Sequence, residues 1–285
     1  MRLGEHAEFD KLARPELFSR RLVSQFQFSH DTVSTPHAYT QAMPPVLTAV
    51  TASVHMAQTP LVNWTLVADD RGVMLIDAGY PGSRDEVLAS LSQLGFTPAD
   101  LRAILLTHAH IDHLGSAIWF ARTHRTPVYC HGTEVAHARR DYLEQASPAA
   151  ILANAWQPRW MKWSLQVVGK GGLRREGIPG AAALTDQIAA TLPGGPRAVP
   201  TPGHTKGHCS YVVDGVLVAG DALVTGHPLL RRIGPQLLPS VFNHDEAGCA
   251  ASLRALGELQ TDVLIPGHGD LWIGPIREAV HQATI

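Results

Sequence analysis

Between residues 63 and 106 the rhythm of apolar and polar positions changes three times, and each change predicts a different element. Residues 63–68 and 73–76 are short runs rich in β-branched and aromatic side chains. The turn formers Asp69-Asp70-Arg71-Gly72 separate them, so the pair predicts a hairpin. From Ser83 the period lengthens to that of a helix. Ser83-Arg84-Asp85-Glu86 has the form of a capping box, Val87, Leu88, Leu91 and Leu94 follow at helical spacing, and Gly95 ends the run. Ala103, Ile104, Leu105 and Leu106 are then uninterruptedly apolar, as a strand covered on both faces requires.

The same reading continues downstream. It predicts a helix over 114–122, a strand over 127–130, and a second hairpin from 211–213 and 216–219 about Asp214-Gly215. A helix over 246–259 and a strand over 262–265 follow. Strand followed by helix, repeatedly, predicts an α/β layer arrangement. Two halves follow one plan, each hairpin ending on an acidic turn, Ile76-Asp77-Ala78-Gly79 and Ala219-Gly220-Asp221-Ala222. Residues 1–45, broken by Ser34-Thr35-Pro36 and Pro44-Pro45, read as an N-terminal extension, and 46–285 as one domain. Within it, 141–180 is looser and reads as a lid or insert, with Trp156, Trp160 and Trp163 crowded together.

Composition narrows the function. With 45% hydrophobic and 17% charged residues the chain is an ordinary globular protein, and its net charge of −2 provides no field for a nucleic acid partner. Cys130, Cys209 and Cys249 are scattered without C-x-x-C spacing and read as buried free thiols of a reducing compartment. No apolar window reaches the length of a membrane span and no secretory leader is evident. The expectation is therefore a cytoplasmic protein without a membrane partner.

The outlier is histidine, at 16 residues. His108, His110, Asp112 and His113 lie within six positions at the end of the apolar run 103–106. Imidazole and carboxylate are the side chains that hold divalent ions at neutral pH. Three more predicted strand ends carry such a group beside glycine: Gly203-His204, Gly220-Asp221 and Gly267-His268. Each alone is a weak signal. Together the five histidines and two aspartates suffice for two ions around a shared bridge.

This succession, with Asp77 ahead of it, resembles the metallo-β-lactamase superfamily of binuclear metallohydrolases from about Val46 onward. The resemblance implies an α/β fold, a four-layer αββα sandwich with the site at one edge. It implies that His108, His110 and His204 bind one metal, that Asp112, His113 and His268 bind the other, and that Asp221 bridges. Asp77 would orient the ligand loop from behind. The implied cofactors are two divalent ions, zinc first, with iron or manganese as alternatives. The implied reaction is attack of a metal-held hydroxide on an ester, lactone or thioester carbonyl, Asp112 relaying the proton.

The alternatives within the same fold are an iron-dependent persulfide dioxygenase and a phosphodiesterase. An aspartate at 221, where true β-lactamases carry Cys or Ser, speaks against that branch. After His268 only Arg277 offers a cation for glutathione, which favours lactonase- or esterase-like chemistry over glyoxalase II. His227 stands where related hydrolases place a substrate-facing Tyr or His and is the second catalytic candidate. Tyr80, Trp156, Trp160 and Trp163 are the candidates for a pocket around a small-molecule substrate. His208 reads as a strand-face residue, and His124, His131, His137 and His244 as structural or solvated. A homodimer is left open.

Overall fold

The structure is a computed structural model describing residues 44–285, so the expected N-terminal extension lies outside the described residues except for its last two. Twelve strands form two sheets among these residues. The first holds β1 (Val46–Ala49), β2 (Val54–Gln58), β3 (Asn63–Asp69), β4 (Gly72–Ile76), β5 (Leu101–Leu105), β6 (Val128–Cys130) and β7 (Ala182–Ala183) in that spatial order. Strands β1 to β4 pair antiparallel and β4 to β7 parallel. The second sheet runs β12 (Trp272–Ile273), β11 (Val263–Pro266), β10 (Val216–Gly220), β9 (Cys209–Val213), β8 (Arg197–Pro200). Each sheet thus contains an antiparallel hairpin followed by a parallel crossover, β3-β4 to β5 and β9-β10 to β11, which is the repetition read from the two acidic turns.

Alternation along the strands builds the layers. On β4, Met74 and Ile76 face the second sheet, where they meet Tyr211, Val216, Val218 and Ile265, while Val73 and Leu75 face the opposite way. There they pack under α1 (Arg84–Gln93) through Val87 and Leu91, and under α3 (Ala117–Thr123) through Ile118 and Phe120. On β10 the outer face belongs to Leu217 and Ala219. They meet Leu253 and Leu256 of α8 (Glu246–Gly257) and Ile276 and Ala279 of α9 (Ile276–Thr284). Helix, sheet, sheet, helix is the four-layer αββα sandwich. The strands are apolar on both faces because both faces are covered.

Two local expectations are corrected. Ser83 makes no capping bond: it ends a 3₁₀ turn, Pro81–Ser83, with φ −92° and ψ 3°, and Glu86 instead accepts from Lys170 Nζ at 2.7 Å. The helix predicted over 114–122 is split into α2 (Ile111–Leu114) and α3. Gly115 lies in the gap, where a Cβ would run into the backbone of Tyr80 and Pro81, so the loop after β4 packs onto bare backbone. The stretch over 141–180, read as a lid or insert, holds two helices, α5 (Pro148–Asn154) and α6 (Pro158–Gly169). The remaining short helices are α4 (Val135–Arg139), after β6, and α7 (Asp186–Thr191), after β7.

Candidate metal centre

All seven predicted ligands come together at one edge of the sandwich, on loops that leave the ends of β5, β8, β10 and β11. Their donor atoms form three overlapping triads, His108/His110/His204, His108/His113/Asp221 and Asp112/His113/His268, each with its atoms within 4.8 Å of one another. Asp221 lies between the two outer triads. One of its carboxylate oxygens is 3.3 Å from both His204 Nε2 and His268 Nε2, and the other is 3.5 Å from His113 Nε2. Gly267 makes this possible, since a Cβ there would collide with the Asp221 carboxylate and crowd the His113 ring.

The hydrogen bonds behind the rings decide which nitrogen faces inward. Asp77, buried with φ +64°, accepts from the Thr107 amide and hydroxyl and from His113 Nδ1, each at 2.8 Å. A left-handed backbone at a non-glycine costs about a kcal/mol or more, and three charge-assisted bonds offset it. With its hydrogen given to Asp77, Thr107 Oγ1 accepts from His108 Nδ1 at 3.0 Å. His268 Nδ1 donates to the Leu61 carbonyl at 2.6 Å, and His204 Nδ1 to Asn243 Oδ1 at 2.9 Å, the Asn243 amide nitrogen being spent on Glu246. Four rings therefore donate through Nδ1 and turn Nε2 into the cluster. Asn63 closes the floor, its side-chain amide donating to the carbonyls of Pro266 and Gly269.

These residues fit a pair of cations. His108 Nε2, His113 Nε2, His110 Nε2 and Asp221 Oδ1 are buried without a hydrogen-bond partner, and His204 Nε2 faces His110 Nδ1 at 3.0 Å. Buried polar atoms are ordinarily paired, and nitrogens that converge this closely need a proton or a metal cation between them. A set of imidazoles and carboxylates without thiolate suits Zn²⁺, Fe²⁺ or Mn²⁺.

Sequence reasoning missed the residues that tie the loops together. Glu134, fully buried, accepts from the Ala109 amide, the Thr205 hydroxyl, the Gly207 amide and His137 Nδ1 at 2.8–3.0 Å. It thereby joins the loop of His108 and His110 to the loop of His204. Burial works against its ionisation, but His137 and the donors hold its carboxyl below the usual range. His208, read as a strand-face residue, lies just before β9 and has a task. Its Nε2 accepts from the Asp221 amide at 3.1 Å while its Nδ1 meets Thr201 Oγ1 at 2.9 Å, and burial brings its pKa down to about 3.

The charges within the cluster split its imidazoles. Burial, aided by neighbouring rings, pushes His108 and His110 well below the ordinary imidazole value, and burial lowers His204 despite Asp221. Burial also opposes protonation of His113 and His268, but Asp221 and its neighbours outweigh it and raise both. Asp221 in turn is held well below the carboxylate range: burial opposes ionisation, and His268 and His113 overcome that.

In the metal-free protein the two raised groups add stability that is complete below the unfolded imidazole value. That stability is lost as pH rises through their folded values, whereas the lowered groups act on the acid side. Divalent metal competes for the same nitrogens and binds better as pH rises. Thermal melts of chelator-treated chain are expected to fall as pH is raised past neutrality, while the increment from added Zn²⁺ widens. Parallel curves with and without metal would contradict this assignment of protons.

A cavity of about 400 Å³ opens onto the cluster. Tyr80 and Trp163 line it, with Ile111, Ile151, Val167, Leu238 and Phe242, and His110, Asp112, His204, Asp221, His227 and His268 form its floor. Tyr80 Oη is 3.5 Å from Asp112 Oδ2. His227 lies with its ring 4.9 Å from that of His268. Burial, then the neighbouring His268, brings its pKa down to about 3, and its Nδ1 accepts from the Leu229 amide, so Nε2–H is the free donor.

Trp160 packs on Trp163 and Phe242 behind the wall rather than lining it. Trp156 is corrected too: it is 81% exposed and is not among the residues that line the cavity. Its spacing to Trp160 and Trp163 implied one continuous helix, but Pro158 starts α6, leaving Trp156 in the turn before it. Of the other histidines, His137 is buried and paired with Glu134.

This arrangement has known counterparts. The family model described as "Metallo-beta-lactamase superfamily" matches residues 59–268, and the chain belongs to that superfamily. It is 28% identical over 237 residues to "Probable metallo-hydrolase YflN" of Bacillus subtilis, covering 78% of this chain and 82% of the relative. It is 31% identical over 160 residues to a hydroxyacylglutathione hydrolase of Xanthomonas campestris, but spans only 45% of that protein and 56% of itself. Among solved structures, a metallo-beta-lactamase family protein from Thermus thermophilus superposes with a TM-score of 0.56 at 24% identity, over 82% of this chain and 79% of that one. The Rm3 metallo-beta-lactamase gives 0.56 at 20%, over 81% and 88%. At these identities the structures speak for the fold alone.

Proposed function

We propose that this chain is a metal-dependent hydrolase that cleaves an ester, lactone or thioester bearing an apolar acyl group. The observation that carries this reading is the cavity, whose walls are aliphatic and aromatic and whose floor is the His/Asp cluster. The relatives named as metallo-hydrolases support hydrolysis, and the hydroxyacylglutathione hydrolase supports an acyl substrate. His108, His110 and His204 would hold one cation, Asp112, His113 and His268 the other, with Asp221 shared. Bound there, the pair supplies Lewis acidity and makes water acidic enough to ionise near neutral pH.

The protein's own groups do the rest. Apolar walls align the acyl chain and exclude water from the reacting carbonyl. Tyr80 Oη–H and His227 Nε2–H are neutral donors over the floor, suited to the oxygen that gains negative charge. The Asp112 side chain is 17% exposed and faces the cavity, so it can accept a proton and return it to the leaving group. Zinc is the proposed metal. The three free buried thiols fit a reducing, cytoplasmic compartment.

The test is a panel of esters and lactones of graded acyl length, a thioester, a phosphodiester and a β-lactam, run beside metal quantification. Each pair of methylenes that enters the cavity is expected to raise kcat/KM on the order of tenfold. Turnover of the phosphodiester alone, or a flat dependence on acyl length, would overturn the substrate class.

A further inference from the structure

The hairpin of α5 and α6 shows more apolar surface than the cavity beneath it uses. Trp160, Trp163 and Val167 turn inward, whereas Met161, Leu165 and Val168 run along one outer stripe of α6 at i, i+4 and i+7. Leu152 on α5, Trp156 in the turn and Leu173 after α6 are 71%, 81% and 71% exposed. Leu152, Met161, Val168 and Leu173 edge the cavity, while Leu165 and Trp156 lie outside its lining, so an exposed apolar face continues past the cavity's mouth.

The neighbouring side chains are cationic. Residues 147–175 contain Arg159, Lys162, Lys170, Arg174 and Arg175 and no Asp or Glu, in a chain of net charge −2. Lys170 is committed to Glu86 at 2.7 Å. The other four have no carboxylate within ion-pair distance among the described residues. Arg159, Lys162 and Gln166 form the stripe of α6 beside the apolar one. Arg159 also donates to the Leu230 carbonyl at 2.7 Å, tying the loop that bears exposed Arg231 and Ile233 to the start of the helix.

We propose that the α5–α6 hairpin is an interfacial anchor that seats on an anionic lipid surface, its apolar stripe among the acyl chains and its cations at the level of the phosphates. Charge decides for lipid over a second copy of the chain. A two-fold contact through this face would set two like-charged patches together, with no Asp or Glu in residues 147–175 to answer the cations. No helix among the described residues is long and apolar enough to cross a membrane, so the contact is peripheral. Leu152, Met161, Val168 and Leu173 also rim the cavity, so a docked hairpin turns the cavity's mouth toward the bilayer. Entry of an acyl substrate from the lipid rests on the proposed function; the docking itself does not.

The full-length chain is sedimented with vesicles of phosphatidylcholine alone and with vesicles of equal parts phosphatidylcholine and phosphatidylglycerol, at low and high salt. Pelleting is expected with the anionic vesicles only, and is lost as salt screens the charges. Lys162→Glu with Arg175→Glu is expected to lower the bound fraction's partition coefficient on the order of tenfold or more. Leu165→Glu is expected to abolish pelleting. Both variants keep cooperative melting and hydrolysis of a soluble short-chain ester, which separates this test from that of the reaction. No pelleting of the natural chain, equal pelleting of the variants, or a dimer by light scattering that Leu165→Glu dissociates would each overturn the proposal, the last assigning the face to a second copy.

Discussion

Asp221→Asn is expected to lower kcat/KM on the order of a thousandfold or more, and to reduce bound metal from about two ions per chain to one or fewer. The substitution preserves volume and shape, so packing is not what it tests. It replaces a carboxylate that stands 3.3 Å from His204 and His268 and 3.5 Å from His113 with a neutral amide. An amide is the weaker ligand, and its NH₂ must point at one of the bare imidazole nitrogens it faces. It also removes the charge that raises His113 and His268, so their protonated forms lose their partner. Metal quantification on the purified variant checks the first part and steady-state kinetics the second. Unchanged metal content would mean that Asp221 is not shared between the two outer triads.

Glu134→Ala carries the second large effect, and it falls on stability as well as on activity. The variant leaves two backbone amides, the Thr205 hydroxyl and His137 buried without their acceptor. Leaving a buried donor without its acceptor costs about 1–3 kcal/mol, and four donors lose theirs here. In a domain of this size that lowers the melting temperature by on the order of 10 °C. Because Glu134 holds the His108–His110 loop to the His204 loop, metal affinity is expected to fall about 10- to 100-fold even at temperatures where the variant is folded. Glu134→Gln retains an acceptor for two of the four donors and is expected to recover part of the stability. Denaturant melts and competition with a metallochromic chelator measure the two effects separately. A variant as stable as the natural chain would remove Glu134 from the architecture of the site.

Much of this centre was readable from the chain because its ligands sit at strand ends marked by glycine and preceded by apolar runs. β5 is the clearest case: residues buried on both faces leave no alternation, so the polar cluster at its end is conspicuous. Glu134 was not readable. It lies in a short turn, Gly132–Glu134, among polar neighbours, and its partners Ala109 and Thr205 are 25 and 71 positions away. Trp156 departs from the spacing for a local reason: the helical period runs through Pro158, but the proline starts a new helix. Ser83 departs likewise, because the turn starting at Pro81 fixes its backbone before it can cap. Spacing records what a segment prefers alone; it does not record which distant loop will need a carboxylate.

The imidazole at position 268 rests on the carbonyl of Leu61, 207 positions earlier in the chain. The chain through residue 268 must therefore leave the ribosome before the cage can close, and an earlier fragment can offer at most a loose site. Acquisition of tightly held metal becomes a timestamp for completed folding, and a nascent chain stalled short of this residue should remain unable to retain it against a chelator.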